Sequence, residues 1–216
     1  MIISIICAGF LIGGCTGVNQ TQFALQHSVI SLEAGDLEVG GIGFLTPAAA
    51  TGREGDKQAL ALSFSDQLKE MIPDAKVVPL PIILSKVNAA DLDQEYRGMY
   101  RDYLETGILE GSVLHSVGTV GGVRYLAQLS LSGFVQGEQR RLGVLGLRLL
   151  DTEKANLRVF VQIWDIENAG VAWEGGVELN HAYETGKEKP VTFYDVAQLA
   201  AEQLFLQLPG AQIEEK

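Results

Sequence analysis

Between residues 156 and 165 the chain alternates Leu157, Val159, Val161 and Ile163 with Arg158, Phe160, Gln162 and Trp164. A period of two sends successive side chains to opposite faces, so this stretch is a sheet strand with one apolar and one mixed face. Residues 166 to 170 read as a turn and residues 171 to 179 as the returning strand, which together predict a β-hairpin. Any fold for this chain must then cover the apolar face of that hairpin with a second layer.

Helical periods elsewhere supply the cover. Leu60, Phe64 and Leu68 recur at steps of four in residues 56–72, a helix ended before Pro73. Tyr96, Met99, Tyr100, Tyr103 and Leu104 mark a second helix over 92–106, and Leu109, Val113 and Leu114 a third over 108–117. The last helix opens at Thr192, with Asp195 three residues on in the manner of a capping box, and Pro209-Gly210 stops it. Further strands are expected at 37–46, at 76–80 beside Pro79, and at 123–131. Residues 82–90 read as a connection, and the glycine-interrupted window 132–155 has no clear period. The order β, α, β, α, α, β, β, β, α predicts an α/β (α+β) fold, a single mixed β-sheet with helices packed on it.

Composition narrows the function. With 216 residues, 47% of them apolar, one packed domain is expected. The 16 Lys and Arg against 27 Asp and Glu give a net charge of −11, which repels phosphate backbones and leaves no basic cluster beyond Arg140-Arg141. Nucleic acid is therefore not an expected partner. Residues 1–14 hold no charged side chain. An apolar run of about 12 residues is too short to span a bilayer but has the length of a secretory h-region. The expected organisation is a signal peptide at 1–14, a polar tether at 15–36, a domain at 37–210 and a polar tail at 211–216. The alternative for the first segment is a buried strand or helix with an ordinary core cysteine. Removing 1–14 would remove Cys7 and leave Cys15 alone, unable to form an intramolecular disulfide.

No catalytic, cofactor or metal set converges. The loop 51–57 lies between a strand and a helix but lacks the Gly-Lys-Ser/Thr ending of a phosphate loop. The Gly40-Gly41-x-Gly43 run falls inside an expected strand, so it fails as a dinucleotide fingerprint. His27, His115 and His181 have no ligand-spaced companions, and there is no Gly-x-Ser-x-Gly. The paired acids Asp91 with Asp93 and Glu214 with Glu215 read as solvated charges. Trp164 and Trp173 face each other in the expected hairpin, either as cross-strand packing or as an exposed anchor for a partner. Tyr96, Tyr100 and Tyr103 form a helical stripe, either core or docking surface.

The residues leading into Cys15 are Leu11-Ile12-Gly13-Gly14, and this run resembles the lipobox of bacterial lipoproteins. The resemblance implies lipidation at Cys15 with diacylglycerol and palmitate-type acyl chains, and Thr16 rather than Asp after it implies the outer membrane. The segment Ile163-Trp164-Asp165-Ile166-Glu167-Asn168-Ala169-Gly170-Val171-Ala172-Trp173-Glu174, with the order of elements over 37–208, resembles the envelope group containing CsgG, LpoB and the N-terminal domain of TolB. That resemblance implies the anticodon-binding-domain-like fold of the TolB N-terminal domain and a non-enzymatic periplasmic adaptor, activator or assembly factor. Its partners would be the membrane, through lipidated Cys15, and an envelope protein, with a homo-oligomer as a further option. A CsgG-type oligomeric secretion pore is the alternative, in which residues 132–155 would form a membrane hairpin, although Arg140, Arg141 and Arg148 lie inside that window.

Overall fold

The alternation at 156–165 becomes β6 (Asp151–Asp165), the centre of an antiparallel trio with β5 (Tyr125–Arg140) and β7 (Gly170–Glu184). The computed structural model describes residues 20–49, 54–140, 151–184 and 192–211. The other strands are β1 (Gln20–Val29), β2 (Ile42–Phe44), β3 (Ala48–Ala49) and β4 (Val77–Val78). They join one mixed sheet in the order β1-β7-β6-β5-β2-β4, with β3 pairing β5. β2 runs parallel to both β4 and β5, and β1 pairs antiparallel with β7. The α/β fold expected from the sequence is the one observed.

Helices cover the sheet unequally. On one face lie α2 (Glu54–Met71) and α6 (Phe193–Phe205). They bury Leu60, Phe64, Leu68, Ala200 and Leu204 against Leu129, Leu157, Val159, Val161 and Leu179. Phe64 and Phe205 meet edge to face at 5.5 Å, and Tyr194 donates to Asp66 at 3.0 Å across the two helices. The capping box forms as expected, with the Thr192 hydroxyl accepting from the Asp195 amide and Asp195 accepting from the Thr192 amide at 2.8 Å. The other face carries α3 (Leu80–Ala89), α4 (Asp93–Thr106) and α5 (Gly111–Gly121), whose Ile83, Met99, Leu114 and Val117 pack on Leu126 and Trp164. Lys76 and Lys86 donate to the Gly122 and Gly121 carbonyls at 2.7 and 2.9 Å, placing two cations at the negative end of α5.

Four segments differ from the sequence reading. Residues 20–29 of the expected tether form β1, whose Phe23, Leu25 and Val29 alternate with Gln22, Gln26 and Ser28 and which takes a full ladder from the outer edge of β7. The strand expected at 37–46 begins instead as the short helix α1 (Asp36–Gly40), bounded by Gly35 and Gly41 at φ of 90° and 68°, and only Ile42–Phe44 is extended. The connection at 82–90 is most of α3, since Pro81 sits in its first turn, where a missing N–H costs nothing. The window 132–155 contributes the ends of β5 and β6, and residues 141–150 lie outside the described residues, as do 1–19, 50–53, 185–191 and 212–216.

Two glycines of β7 separate the faces by their chemistry. A Cβ on Gly175 would come 2.5 Å from Cη2 of the fully buried Trp173 and 3.0 Å from Leu204, whereas one on Gly176 meets only the end of Gln26 at 3.2 Å and Phe160 at 3.6 Å. Gly175→Ala should therefore destabilise the domain by about 1–3 kcal/mol through overpacking. Gly176→Ala should cost clearly less, and urea denaturation of the two variants compares them directly. Thr192→Ala should lower stability by about 1 kcal/mol through loss of the cap.

Candidate functional site

The side chains singled out in the sequence fall in three places. Trp164 and Trp173 do not face one another. A register shift between Ile163 and Trp164 pairs Trp173 with Ile163 and Trp164 with Val171. Trp173 lies under α2 and α6 and Trp164 under α3–α5, at 0% and 6% exposure. Both indole N–H groups are buried without a hydrogen-bond partner among the described residues. The partner surface considered at these two positions is thus corrected to core, on opposite faces of the sheet.

Tyr96, Tyr100 and Tyr103 use their hydroxyls to fasten α4 to the sheet. The Tyr96 hydroxyl accepts from the Thr46 amide at 2.8 Å and lies 2.9 Å from the Thr46 hydroxyl. Burial pushes its pKa up against the lowering effect of those Thr46 contacts. The half-buried Tyr100 donates to the Pro47 carbonyl at 3.0 Å, with the Lys57 ammonium 5.7 Å from its ring centre. Tyr103 reaches Ser130 at 3.1 Å and Gln162 at 3.3 Å, and burial raises its pKa as well. Tyr96 and Tyr103 are buried, so of the three tyrosines of the stripe only Tyr100 retains partial access. Cys15 lies outside the described residues.

The hairpin turn holds the strongest polar constellation, one that the sequence marked only as a turn start. Asp165, with its side chain 3% exposed, accepts from Arg124 Nε and Nη2 at 3.1 and 2.8 Å, from the Glu167 amide at 2.9 Å and from Asn168 at 2.8 Å. Arg124 also reaches Glu167 at 3.3 Å and lies 5.2 Å from the Tyr125 ring centre. Burial alone would raise the Asp165 pKa, but the Arg124 guanidinium and the two further donors outweigh it and hold the carboxyl below its ordinary value. Each Asp165 oxygen accepts two donors, so this is a structural knot that closes β6 onto β5.

What remains accessible is a face of the sheet. The α3–α5 layer ends near Gln162, the residue that Tyr103 touches. Beyond it Phe160 stands half-buried, flanked by the ion pair of Arg158 with Glu178 at 2.8 Å. Ala24, Gln26, Ser130, Ser132 and Gly176 complete a shallow concavity of about 490 Å³ across β5, β6, β7 and β1. Small residues on both sides of one aromatic ring make a flat, mixed apolar and polar floor. A second groove of about 400 Å³ lies between α3 and α4 beside Tyr100, Arg97 and Leu84. Among the described residues no cluster of three His, Cys, Asp or Glu is placed to hold a metal ion, and no helix is long and apolar enough to cross a membrane.

The fold and its accessible face define an α/β domain with a mixed sheet covered more fully on its α2–α6 side than on its α3–α5 side. No protein-family model matches the chain, and no curated protein matches it. Among solved structures it is similar to the PelC dodecamer from Paraburkholderia phytofirmans, at 13% identity over 87% of this chain and 99% of that one, with a TM-score of 0.49. It is also similar to lipoprotein GNA1162 from Neisseria meningitidis, at 10% identity over 75% of this chain and 95% of that one, with a TM-score of 0.38. At these values the likeness is one of general outline.

The Asp165 knot has a pH signature. Its folded pKa lies below the unfolded value near about 4, so its stabilisation is complete above that value and is lost as pH falls through the lower, folded one. Asp165→Ala should cost about 2–3 kcal/mol at neutral pH. The gap between variant and wild type in thermal or urea denaturation should narrow below about pH 4.

Proposed function

We propose that the protein is a lipid-anchored protein of the bacterial envelope, held at the outer membrane through Cys15, facing the periplasm, and acting as a non-enzymatic adaptor, activator or assembly factor for another envelope protein. The observation that carries the reading is the change at Cys15, where an uncharged apolar run ending Leu11-Ile12-Gly13-Gly14 gives way to a polar stretch with Thr16, Asn19, Gln20 and Gln22, and every Asp, Glu, Lys and Arg of the chain lies further on, from Glu33. A segment of that length suits export rather than spanning. One acyl chain holds a protein only marginally, at roughly 0.8 kcal/mol per buried CH₂, so a diacylglyceryl group with a further acyl chain is what makes such an anchor durable.

The protein-binding part of the reading draws on the disposition of the polar groups. Asp165, Tyr96 and Tyr103, whose pKa values are shifted, direct their polar atoms into internal contacts. The accessible concavity around Phe160 is broad and open, the shape of a surface for a macromolecule more than of a pocket enclosing a small substrate.

Intact mass and membrane partitioning test the anchor. The wild-type chain expressed in a bacterium should lose residues 1–14, gain the mass of the lipid and sediment with membranes. Cys15→Ser should be released to the soluble fraction. Finding both forms soluble, uncleaved and unlipidated would overturn the reading.

A further inference from the structure

Among the described residues, β1 is an edge strand that is neither short, charged, bulged nor covered. It runs ten residues and pairs with β7 at every position, from Gln20 opposite Ala182 to Val29 opposite Trp173, without a shift of register. It holds no Asp, Glu, Lys, Arg or Pro. Of the described strands only β7 pairs with it. Unpaired N–H and C=O groups along such an edge template a further strand, which is why proteins shorten, charge, bulge or cover their edges. The opposite edge of this sheet follows that practice. β4 is two residues long, preceded by Lys76 and followed by Pro79 and Pro81. On β1, by contrast, Leu25 and Val29 stand 38% and 50% exposed on the face that α6 covers further in, with Ile30 exposed just beyond the strand.

We propose that β1 pairs antiparallel with β1 of a second copy of this chain, joining two sheets across a twofold axis. Three observations select a second copy as the occupant. The strand carries no Asp, Glu, Lys or Arg, so two chains that each bear a net charge of −11 meet no fixed like charge along the ladder itself. Glu174 and Glu178 sit one strand inward on β7, and Glu178 is paired with Arg158. Self-pairing also keeps Phe23, Leu25 and Val29 of both copies on the same face of the joined sheet. Centred on Leu25, it sets Leu25 against its twin, Phe23 against His27 and Thr21 against Val29, bringing the exposed Leu25 and Val29 side chains of both copies onto one continuous face. Finally, a contact of β1 with β1 uses the same edge on both copies, so it is isologous and closes at two copies instead of propagating head to tail. This inference stands apart from the lipid anchor and needs neither cleavage nor acylation.

Sedimentation equilibrium of the full-length chain in a density-matched detergent, which removes the micelle from the measured mass, tests it. The wild type should sediment at twice the chain mass. Leu25→Lys combined with Val29→Lys introduces charge at two exposed positions of each copy and should return the chain to single mass with an unchanged circular dichroism spectrum. Gln22→Lys with Ser28→Lys, on the exposed opposite face of β1, repeats the test without removing apolar side chains, so a folding failure of the first variant does not decide the matter. A monomeric wild type, or a dimer that survives the Lys substitutions in a folded chain, would overturn the proposal.

Discussion

A strand whose two faces are both apolar must be covered on both, and one whose faces differ needs cover on only one. β5 and β6 pass from the first condition to the second along their own length. At Tyr125, Leu126 and Ala127 and at Ile163 and Trp164 both faces are buried, and helices lie above and below. By Phe160 and Arg158 one face has become mixed, and the α3–α5 layer has stopped. The helix arrangement, the accessible concavity and the exposed edge all follow from where that change falls. The Arg124–Asp165 knot fixes the doubly covered end, because it fastens the β6–β7 turn to the first residues of β5 at the point where helices press from both sides.

Much of this was legible in the sequence because the informative segments repeat a period. The alternation of β6, the steps of four in α2, and the Thr192–Asp195 cap of α6 each state their structure locally. The misread segments are those whose structure is decided elsewhere. β1, with Gln20, Gln22, Gln26 and Ser28 along it, carries too little apolar content to declare a strand, and the ladder of β7 makes it one. The residues after Pro79 read as a connection, whereas they open α3 with Pro81 in its first turn. The tryptophans show a different limit. Their spacing across the turn was plain, yet a single register shift between Ile163 and Trp164 sends them to opposite cores. No periodicity announces such a shift.

The polar network of the domain was less legible than its core. Arg124 and Asp165 are 41 residues apart in the chain and are brought together only by the pairing of β5 with β6. The tyrosine stripe of α4 was visible as a stripe, but its hydroxyls act on Thr46, Pro47, Ser130 and Gln162, in three other elements or loops. A helix that reads as amphipathic on apolar grounds is here also oriented by three hydroxyls, which fix its roll about its own axis as well as its depth.

The place where β1 begins sets a length. Only five residue steps separate Cys15 from Gln20, and a fully extended chain covers at most about 3.6 Å per step, some ~18 Å in all. An anchor at Cys15, as proposed, would work as a short leash and keep the first residue of the sheet within about that height of the bilayer. A partner would then have to come to the membrane to be met. Should two copies share β1 edge to edge, their leashes leave from opposite ends of a ten-residue pair, roughly 33 Å apart. Both could reach one bilayer only if the paired strands lay nearly level with it, so the sheet would rest on its side, its strands running along the lipid surface.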